Sequence, residues 1–210
     1  VTAMAAMRLA QDRTLDIDAD VNAMLTSWKV PETDLTRGHP VTPRALFSHT
    51  SGADDGFGFP GYDPGLPRPS NVGAVRFVRP PFAGFKYSGG GLTLMQLALG
   101  DLTGQDFAAF MQATVLGPLR MTSSSFAQPP PPEVADQLSR AHDGQGRAMN
   151  TAWHVYPEQA AAGLWTTPTD LARVLIEVQT AVRGPAGRVL SRASAREMIA
   201  SETRLSLGIV

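Results

Sequence analysis

A tyrosine followed by one serine and three glycines stands in the stretch KYSGGG, which covers residues 86–91. A phenol has a pKa of about 10, so a tyrosine that acts as a general base needs a nearby cation to hold it partly ionised. Lys86 is adjacent, but neighbouring side chains of an extended segment point to opposite faces. The glycines indicate backbone that takes unusual angles or approaches another group closely. Taken alone, the stretch favours a turn before a helix over a catalytic Tyr87.

Other residues that could do chemistry have weaker patterns. DIDAD, at 16–20, resembles the start of a calcium loop, but Val21 and Ser27 stand where that loop needs glycine and glutamate, so a turn is expected. No serine has glycine two residues away on both sides, which excludes a nucleophile elbow. His49 and Ser51, in SHTSG, are expected to have structural roles, with His49 bonded to backbone in a turn. No metal-ligand spacing connects the four histidines, His39, His49, His142 and His154.

Composition narrows the class of protein. A net charge of −1 with no basic block argues against nucleic acid and anionic membranes as partners. An apolar content of 43% and a charged content of 18% indicate a globular chain. No apolar stretch approaches the roughly 18 residues of a membrane span. The absence of cysteine removes disulfides, thiolate zinc sites and cysteine nucleophiles. No cofactor or metal is predicted.

The elements that must position these residues are mostly helices. Thr42 and Thr167 are predicted helix caps, each followed by proline at the first helical position. Residues 51–72 are rich in glycine, proline and aspartate, which predicts a long irregular excursion. The pattern favours a mixed α/β protein with little sheet in these residues. Predicted helices cover 2–12, 42–48, a segment from Leu94 closed by Gly104, a segment from Phe107 to Val115, 168–182 and 191–201, with a strand at 204–210.

Five segments, taken together, resemble one family. They are VTAMAAMRLAQDRTLDIDADV, VTPRALFSHTSG, FKYSGGGLTLMQLA, LGPLRMTSSSF and AAAGLWTTPTDLARVLIEVQ. Covering most of 1–128 and 159–200, they are similar to serine hydrolases of the class C β-lactamase and penicillin-binding-protein superfamily. The resemblance implies a β-lactamase/transpeptidase-like fold, an antiparallel sheet flanked by helices plus a mostly helical lobe. Residues 1–210 would be part of one such domain, with about 20–165 in the helical and loop lobe and 166–210 returning to the sheet.

The resemblance also assigns site residues. In that family a Ser-x-x-Lys motif supplies the nucleophilic serine and a lysine that keeps the tyrosine of a Tyr-x-Asn motif partly ionised. Tyr87 falls on that tyrosine, Ser88 on the middle position, and Gly89 where β-lactamases carry asparagine. The missing asparagine favours an esterase or a peptidase-like enzyme over a β-lactamase. Ala162 and Trp165 fall on the AAAGLW strand that walls the acyl pocket, and Ala162, where β-lactamases often have tyrosine, predicts a roomier pocket.

Three aromatic residues of the 51–72 excursion, Phe57, Phe59 and Tyr62, have two interpretations. The family places loops over the active site here, so these side chains are candidates for an apolar lid, with Tyr62 contacting substrate. Alternatively, they anchor a surface loop.

Two family motifs are absent from the sequence. The two lysines, Lys29 and Lys86, follow Thr26 and Ala83 by three residues, so Ser-x-x-Lys does not occur. TSWK, at 26–29, is the nearest imitation. The third motif, Lys-Thr-Gly or His-x-Gly, should follow LWTTPTDLA, whereas HDG at 142–144 precedes it and is expected to be a turn.

Three hypotheses for function follow. The first is a piece of a longer serine hydrolase of esters or amides, with Ser-x-x-Lys before Val1, since the helix at one end and the strand at the other look interrupted. The second is a non-catalytic relative that acts as a binding module. The third is a regulatory or structural protein of another class. Relatives are often exported, which favours the periplasm or another exported location over the cytoplasm. Oligomeric state is not predicted.

Overall fold

The structure, a computed structural model, describes residues 1–54, 73, 75–150, 153 and 155–200. None of its helices is long and apolar enough to cross a membrane. The predicted strand at 204–210 and residues 55–72, with Phe57, Phe59 and Tyr62, lie outside the described residues. Within that part there are seven α-helices, which are α1 (Thr2–Gln11), α2 (Pro43–Phe47), α3 (Gly89–Thr103), α4 (Phe107–Met111), α5 (Gln159–Ala162), α6 (Pro168–Arg183) and α7 (Arg192–Ile199).

The predicted helices are confirmed to within about two residues at most ends, because local signals define them. Thr42 Oγ1 accepts a hydrogen bond from the N–H of Ala45 at 3.1 Å at the start of α2. Thr167 Oγ1 accepts one from the N–H of Asp170 at 3.2 Å at the start of α6. Gly104 ends α3 in the left-handed conformation, with φ of 67°. A π-helical turn, Gln112–Leu116, continues α4 to the predicted end of that segment.

Helix α3 lies at the centre of the core. Four of its side chains, Leu94, Met95, Ala98 and Leu99, have no exposed surface. It packs against α2, α4 and α5, while α7 packs against α1 and α6. Fully burying a leucine or methionine contributes roughly 1.5–3 kcal/mol to the stability of the fold. The buried α3 therefore gives the residues at its two ends fixed positions.

The predicted sheet is not seen in the residues that the structure describes. Only isolated bridges occur there, at Ala53–Phe77, Ser125–Trp165, His142–Ala148 and Ala186–Ser191. The strand predicted for AAAGLW is wrong, because Gln159–Ala162 forms helix α5 and only Trp165 pairs, with Ser125. Alanine is the strongest helix former, and the Gln96 side-chain oxygen holds the N–H of Ala160 at 2.9 Å, so this run stays helical.

The apolar face predicted for α6 is only partly buried. Val174 and Val178 are 9% exposed, but Leu171 and Leu175 are 42% and 55% exposed. Among the described residues α6 packs mainly against α7, and this contact leaves part of the predicted apolar face exposed.

Glu177 ties α6 to the segment before α7. Its buried carboxylate accepts hydrogen bonds from the N–H groups of Arg188, Val189 and Leu190 at 2.9, 2.7 and 3.0 Å. We expect Glu177→Ala to lower the free energy of unfolding by about 3 kcal/mol, because three N–H groups lose their partner. Urea denaturation measures this, with the exposed Glu133→Ala as the matched control at under about 0.5 kcal/mol. Equal losses in both variants would contradict a stabilising role for these three hydrogen bonds.

Arg44, on α2, forms an ion pair that makes stability depend on pH. Its guanidinium donates to Asp18 at 2.6 and 3.0 Å, and this hydrogen bond lowers the pKa of the Asp18 carboxyl below its ordinary 3.8. A lowered pKa means that the pair stabilises the fold above pH 3.8 and loses this contribution as pH falls through the folded-state pKa. Because Arg44 also pairs with Glu197, the variant that isolates this contribution is Asp18→Asn, and in urea denaturation its loss of stability is expected to shrink between pH 6 and pH 2. A loss that stays constant over this range would exclude a role for Asp18.

Candidate active site

Tyr87 stands directly before α3, at the surface. Its side chain is 52% exposed, while the adjacent Ser88 is buried. Ser88 Oγ accepts a hydrogen bond from the N–H of Gly91 at 2.9 Å and donates one to the carbonyl of Asp54 at 3.0 Å. Ser88 is therefore the cap of α3 and has extended backbone, so the helix after the tyrosine is confirmed but Lys86 to Ser88 form no turn. The cap fixes the backbone on one side of Tyr87 and leaves its ring accessible.

The three glycines after Ser88 do not take unusual angles. Gly89 begins α3, its carbonyl accepts a hydrogen bond from Thr93 Oγ1 at 3.1 Å, and none of the three has positive φ. The expectation of special backbone angles is thus wrong here, because a good side-chain cap already orders the first turn. Because glycine has no side chain, the first turn of α3 places no side chains next to Tyr87.

His49 is the residue that sequence reasoning did not connect with Tyr87. It is buried, and its Nδ1 accepts a hydrogen bond from the N–H of Ser88 at 3.2 Å. Its carbonyl accepts one from the N–H of Lys86 at 2.8 Å. The predicted backbone bond of His49 is confirmed. Its ring also lies 4.6 Å from the ring of Tyr87 and 5.8 Å from that of Phe85, measured between centroids. No short-range sequence signal links positions 49 and 87.

Gly52 turns the chain so that His49 can reach the tyrosine. Its φ is 75°, and a Cβ there would lie 2.0 Å from the carbonyl oxygen of Arg79. Its own carbonyl accepts the N–H of Val78 at 2.9 Å, and the Thr50 carbonyl accepts that of Phe82 at 2.7 Å. These bonds dock the His49 turn onto the segment that leads to Tyr87.

Ser51 belongs to the same turn. It is buried, and its Oγ accepts the N–H of Ala53 at 3.3 Å, which confirms the structural role expected of it.

Exposed apolar side chains are frequent in the segment that leads to Tyr87. Val78, Phe82 and Phe85 are 49%, 53% and 41% exposed, and all lie within ten residues of Tyr87 in sequence. This segment is therefore a candidate for part of a binding surface.

Ala162 and Trp165 lie in a second group, on and after α5. One cavity of about 310 Å³ lies at the start of α1 and is lined by Val1, Thr2, Phe126, Gln159, Ala160, Ala161, Ala162, Gly163 and Leu164. A neighbouring cavity of about 300 Å³ is aromatic, lined by Ser139, Arg140, Ala141, Trp153, Tyr156, Ala162, Leu164 and Trp165. Ala162 and Leu164 line both. The structure thus brings Ala162 and Trp165 together, whereas Tyr87 lines neither cavity.

Hydrogen bonds connect the two groups through α3. The Gln96 side chain donates to the carbonyl of Pro157 and accepts from the N–H of Ala160, both at 2.9 Å. Thr2 Oγ1 donates to the Ala160 carbonyl at 3.1 Å. The helix that follows Tyr87 therefore also holds α5 beside the start of α1. Trp165 is fixed separately, by its indole N–H to the Ala127 carbonyl at 3.2 Å.

The weaker sequence candidates have structural roles. Asp143, in HDG, accepts the N–H and guanidinium of Arg147, both at 2.9 Å, so the predicted turn is confirmed. The backbone bond from Arg147 lowers the pKa of that carboxyl. In DIDAD, Asp20 accepts the N–H of Asn22 at 2.8 Å and caps a short 3₁₀ turn, as expected. No group of three or more metal-ligating side chains occurs among the described residues.

TSWK serves α3 and is not a nucleophile motif. The N–H groups of Thr26 and Ser27 donate to the Asp101 carboxylate at 2.6 and 2.9 Å, and Lys29 donates to the carbonyls of Asn22 and Leu25. Burial acts to raise the pKa of Asp101, but the bonds from Ser27 and Thr26 outweigh it and lower that pKa. The segment therefore secures the far end of the helix that begins after Tyr87.

Comparison with solved structures shows where this fold recurs. A penicillin-binding protein from Bacillus halodurans is 19% identical, with a TM-score of 0.76 over 99% of this chain and 64% of its own. A D-amino acid amidase from Ochrobactrum anthropi SV3 is 22% identical, with a TM-score of 0.73 over 94% and 56%. An octameric penicillin-binding protein homologue from Pyrococcus abyssi is 23% identical, with a TM-score of 0.69 over 95% and 46%. This chain thus spans about half to two thirds of their lengths.

Comparison by sequence gives the family. No curated protein matches the chain significantly. The sequence profile of the Beta-lactamase family, however, matches residues 1–206. This match covers nearly the whole chain, and it agrees with the fold shared with penicillin-binding proteins and β-lactamase-like hydrolases. The chain therefore belongs to the Beta-lactamase family.

Proposed function

We propose that this chain is part of a serine hydrolase that cleaves esters or amides through an acyl-enzyme, with Tyr87 as its general base. The observation that carries the proposal is the half-exposed Tyr87, held at the start of α3 in a Beta-lactamase-family chain. The serine and its activating lysine are proposed to come from a Ser-x-x-Lys motif before Val1. The two cavities that share Ala162 are proposed to receive the acyl group.

The proposed chemistry has two half-reactions, each with two proton transfers. The Tyr87 phenolate takes the proton of the serine hydroxyl as its oxygen attacks the carbonyl carbon, and then gives that proton to the leaving alcohol or amine. In the second half, water loses a proton to the same phenolate as it attacks the acyl-enzyme, and the proton returns to the serine oxygen as the acid leaves. A phenol with a pKa of about 10 needs the neighbouring lysine to stay ionised near neutral pH.

Three features support esters or amides over β-lactams. Gly89 has no side chain to bind the amide of a β-lactam. Ala162 is exposed and small, so it leaves room where a tyrosine would close the wall. Trp153 and Trp165 meet edge to face, 6.2 Å between centroids, and form an apolar wall. The related fold of a D-amino acid amidase supports amides as an alternative to esters.

A serine-directed fluorophosphonate tests the proposal on the natural protein. We expect an intact mass well above the 22.3 kDa of these residues and a single covalent adduct after labelling. Heat-denatured protein is the control and should take no adduct. A mass near 22.3 kDa without an adduct would refute the hydrolase.

A non-catalytic binding module is the second candidate, and one observation favours it. Neither lysine of the sequence follows a serine by three residues. This candidate predicts ligand binding in the aromatic cavity without turnover. Two of the three tryptophans, Trp153 and Trp165, line that cavity, so tryptophan fluorescence would report such binding.

A further inference from the structure

We propose that His49 is the positioning residue of Tyr87, which rests on the proposed function of that tyrosine. Its effect on turnover is exerted through the orientation of the phenol ring. The proposal stands on contacts that one buried residue makes with four consecutive positions, 85–88.

The backbone contacts come first. The His49 carbonyl accepts the N–H of Lys86 at 2.8 Å, and its Nδ1 accepts the N–H of Ser88 at 3.2 Å. These two N–H groups flank Tyr87 on either side. His49 therefore holds the peptide unit that precedes Lys86 and the one that follows Tyr87, which restrains the backbone on both sides of the tyrosine.

The contacts of the His49 ring restrain the side chain of Tyr87. The imidazole is 4.6 Å from the Tyr87 ring with an interplanar angle of 35°, and it meets Phe85 edge-on at 5.8 Å and 87°. Nδ1 accepts a hydrogen bond, so the imidazole is the neutral tautomer with its proton on Nε2. A neutral ring of this kind packs on the phenol without adding a charge, so it orients the phenol and leaves ionisation to the lysine.

The backbone of His49 is itself unusual. Its φ is 56°, in the left-handed region where a residue other than glycine costs roughly 1–2 kcal/mol. Residues kept in such conformations concentrate at functional sites, where surrounding contacts hold them. Histidine, asparagine and aspartate are the side chains that adopt this region most readily, so asparagine is the conservative replacement.

Fluorine NMR tests the contact without any catalysis. Labelling with 3-fluorotyrosine gives each tyrosine a fluorine resonance, and Tyr87→Phe identifies the one from Tyr87. His49→Asn keeps an acceptor and tolerates the backbone but removes the ring. We expect it to move the Tyr87 resonance toward that of free fluorotyrosine, whereas the exposed His39→Asn should leave the resonance unchanged. An unmoved Tyr87 resonance in His49→Asn overturns the proposal.

A reciprocal measurement covers the case in which His49→Asn fails to fold. Tyr87 is half exposed, so Tyr87→Leu should fold normally. In protein with labelled histidine, we expect Tyr87→Leu to shift the ring-proton resonance of His49 and not that of His39. No shift at His49 would overturn the ring contact.

Kinetics of the full-length hydrolase test the consequence. We expect His49→Asn to lower kcat for a short-chain ester about 10- to 100-fold with KM nearly unchanged, because misplacing a catalytic group by about 1 Å has effects of that size. In a Tyr87→Phe background, His49→Asn should have no further effect. Losses that multiply would overturn the proposal, since His49 would then act independently of Tyr87. A Tyr87→Phe enzyme with full kcat would refute the proposed base, while the NMR result would still report on positioning.

Discussion

Replacing Tyr87 by phenylalanine is expected to lower kcat for a short-chain p-nitrophenyl ester by about 10²–10⁴-fold, the usual contribution of a general base. The measurement requires the full-length protein, in steady-state kinetics near neutral pH. The phenylalanine ring keeps the contact with His49, and the lost hydroxyl belongs to a side chain that is 52% exposed. The free energy of unfolding should therefore change by less than about 0.5 kcal/mol.

The matched control is Leu175→Ala, which shortens an equally exposed side chain on α6. Its kcat should stay within twofold of the natural enzyme. A Tyr87→Phe enzyme that also stays within about threefold would remove the tyrosine from the proton transfers. The surface around Tyr87 would then be of interest for binding only.

Replacing Gly52 by alanine is expected to lower the free energy of unfolding by about 4 kcal/mol. About 1–2 kcal/mol comes from placing alanine at a φ of 75°. The rest comes from the new Cβ, which would lie 2.0 Å from the Arg79 carbonyl oxygen and force two backbone segments apart. That movement breaks the hydrogen bond between the Gly52 carbonyl and the N–H of Val78.

Gly38→Ala is the control that separates these two contributions. Gly38 has a φ of 72°, nearly that of Gly52, but nothing lies within 4 Å of a Cβ placed there. Urea denaturation should therefore show a loss of only about 1–2 kcal/mol for Gly38→Ala. If the two variants lose the same amount, the close approach of Arg79 does not hold the His49 turn in place.

The helices were predictable from sequence because their signals are local. Thr42 and Thr167 cap the helices that follow them, and Gly104 ends α3, each through contacts within a few residues. The position of Tyr87 before a helix was predictable for the same reason, since Ser88 caps the first turn of α3. The family was predictable from the order of five segments, and the match over residues 1–206 confirms it.

The tertiary structure alone decided what surrounds those elements. AAAGLW is compatible with strand or helix, and the distant Gln96 side chain selects the helix by bonding to Ala160. The contact between His49 and Tyr87 depends on the Gly52 turn, which docks one segment on another. Such contacts join residues far apart in the chain, and no local propensity encodes them. Sequence by itself therefore determined the helices and the family, and packing determined which side chains meet at the tyrosine.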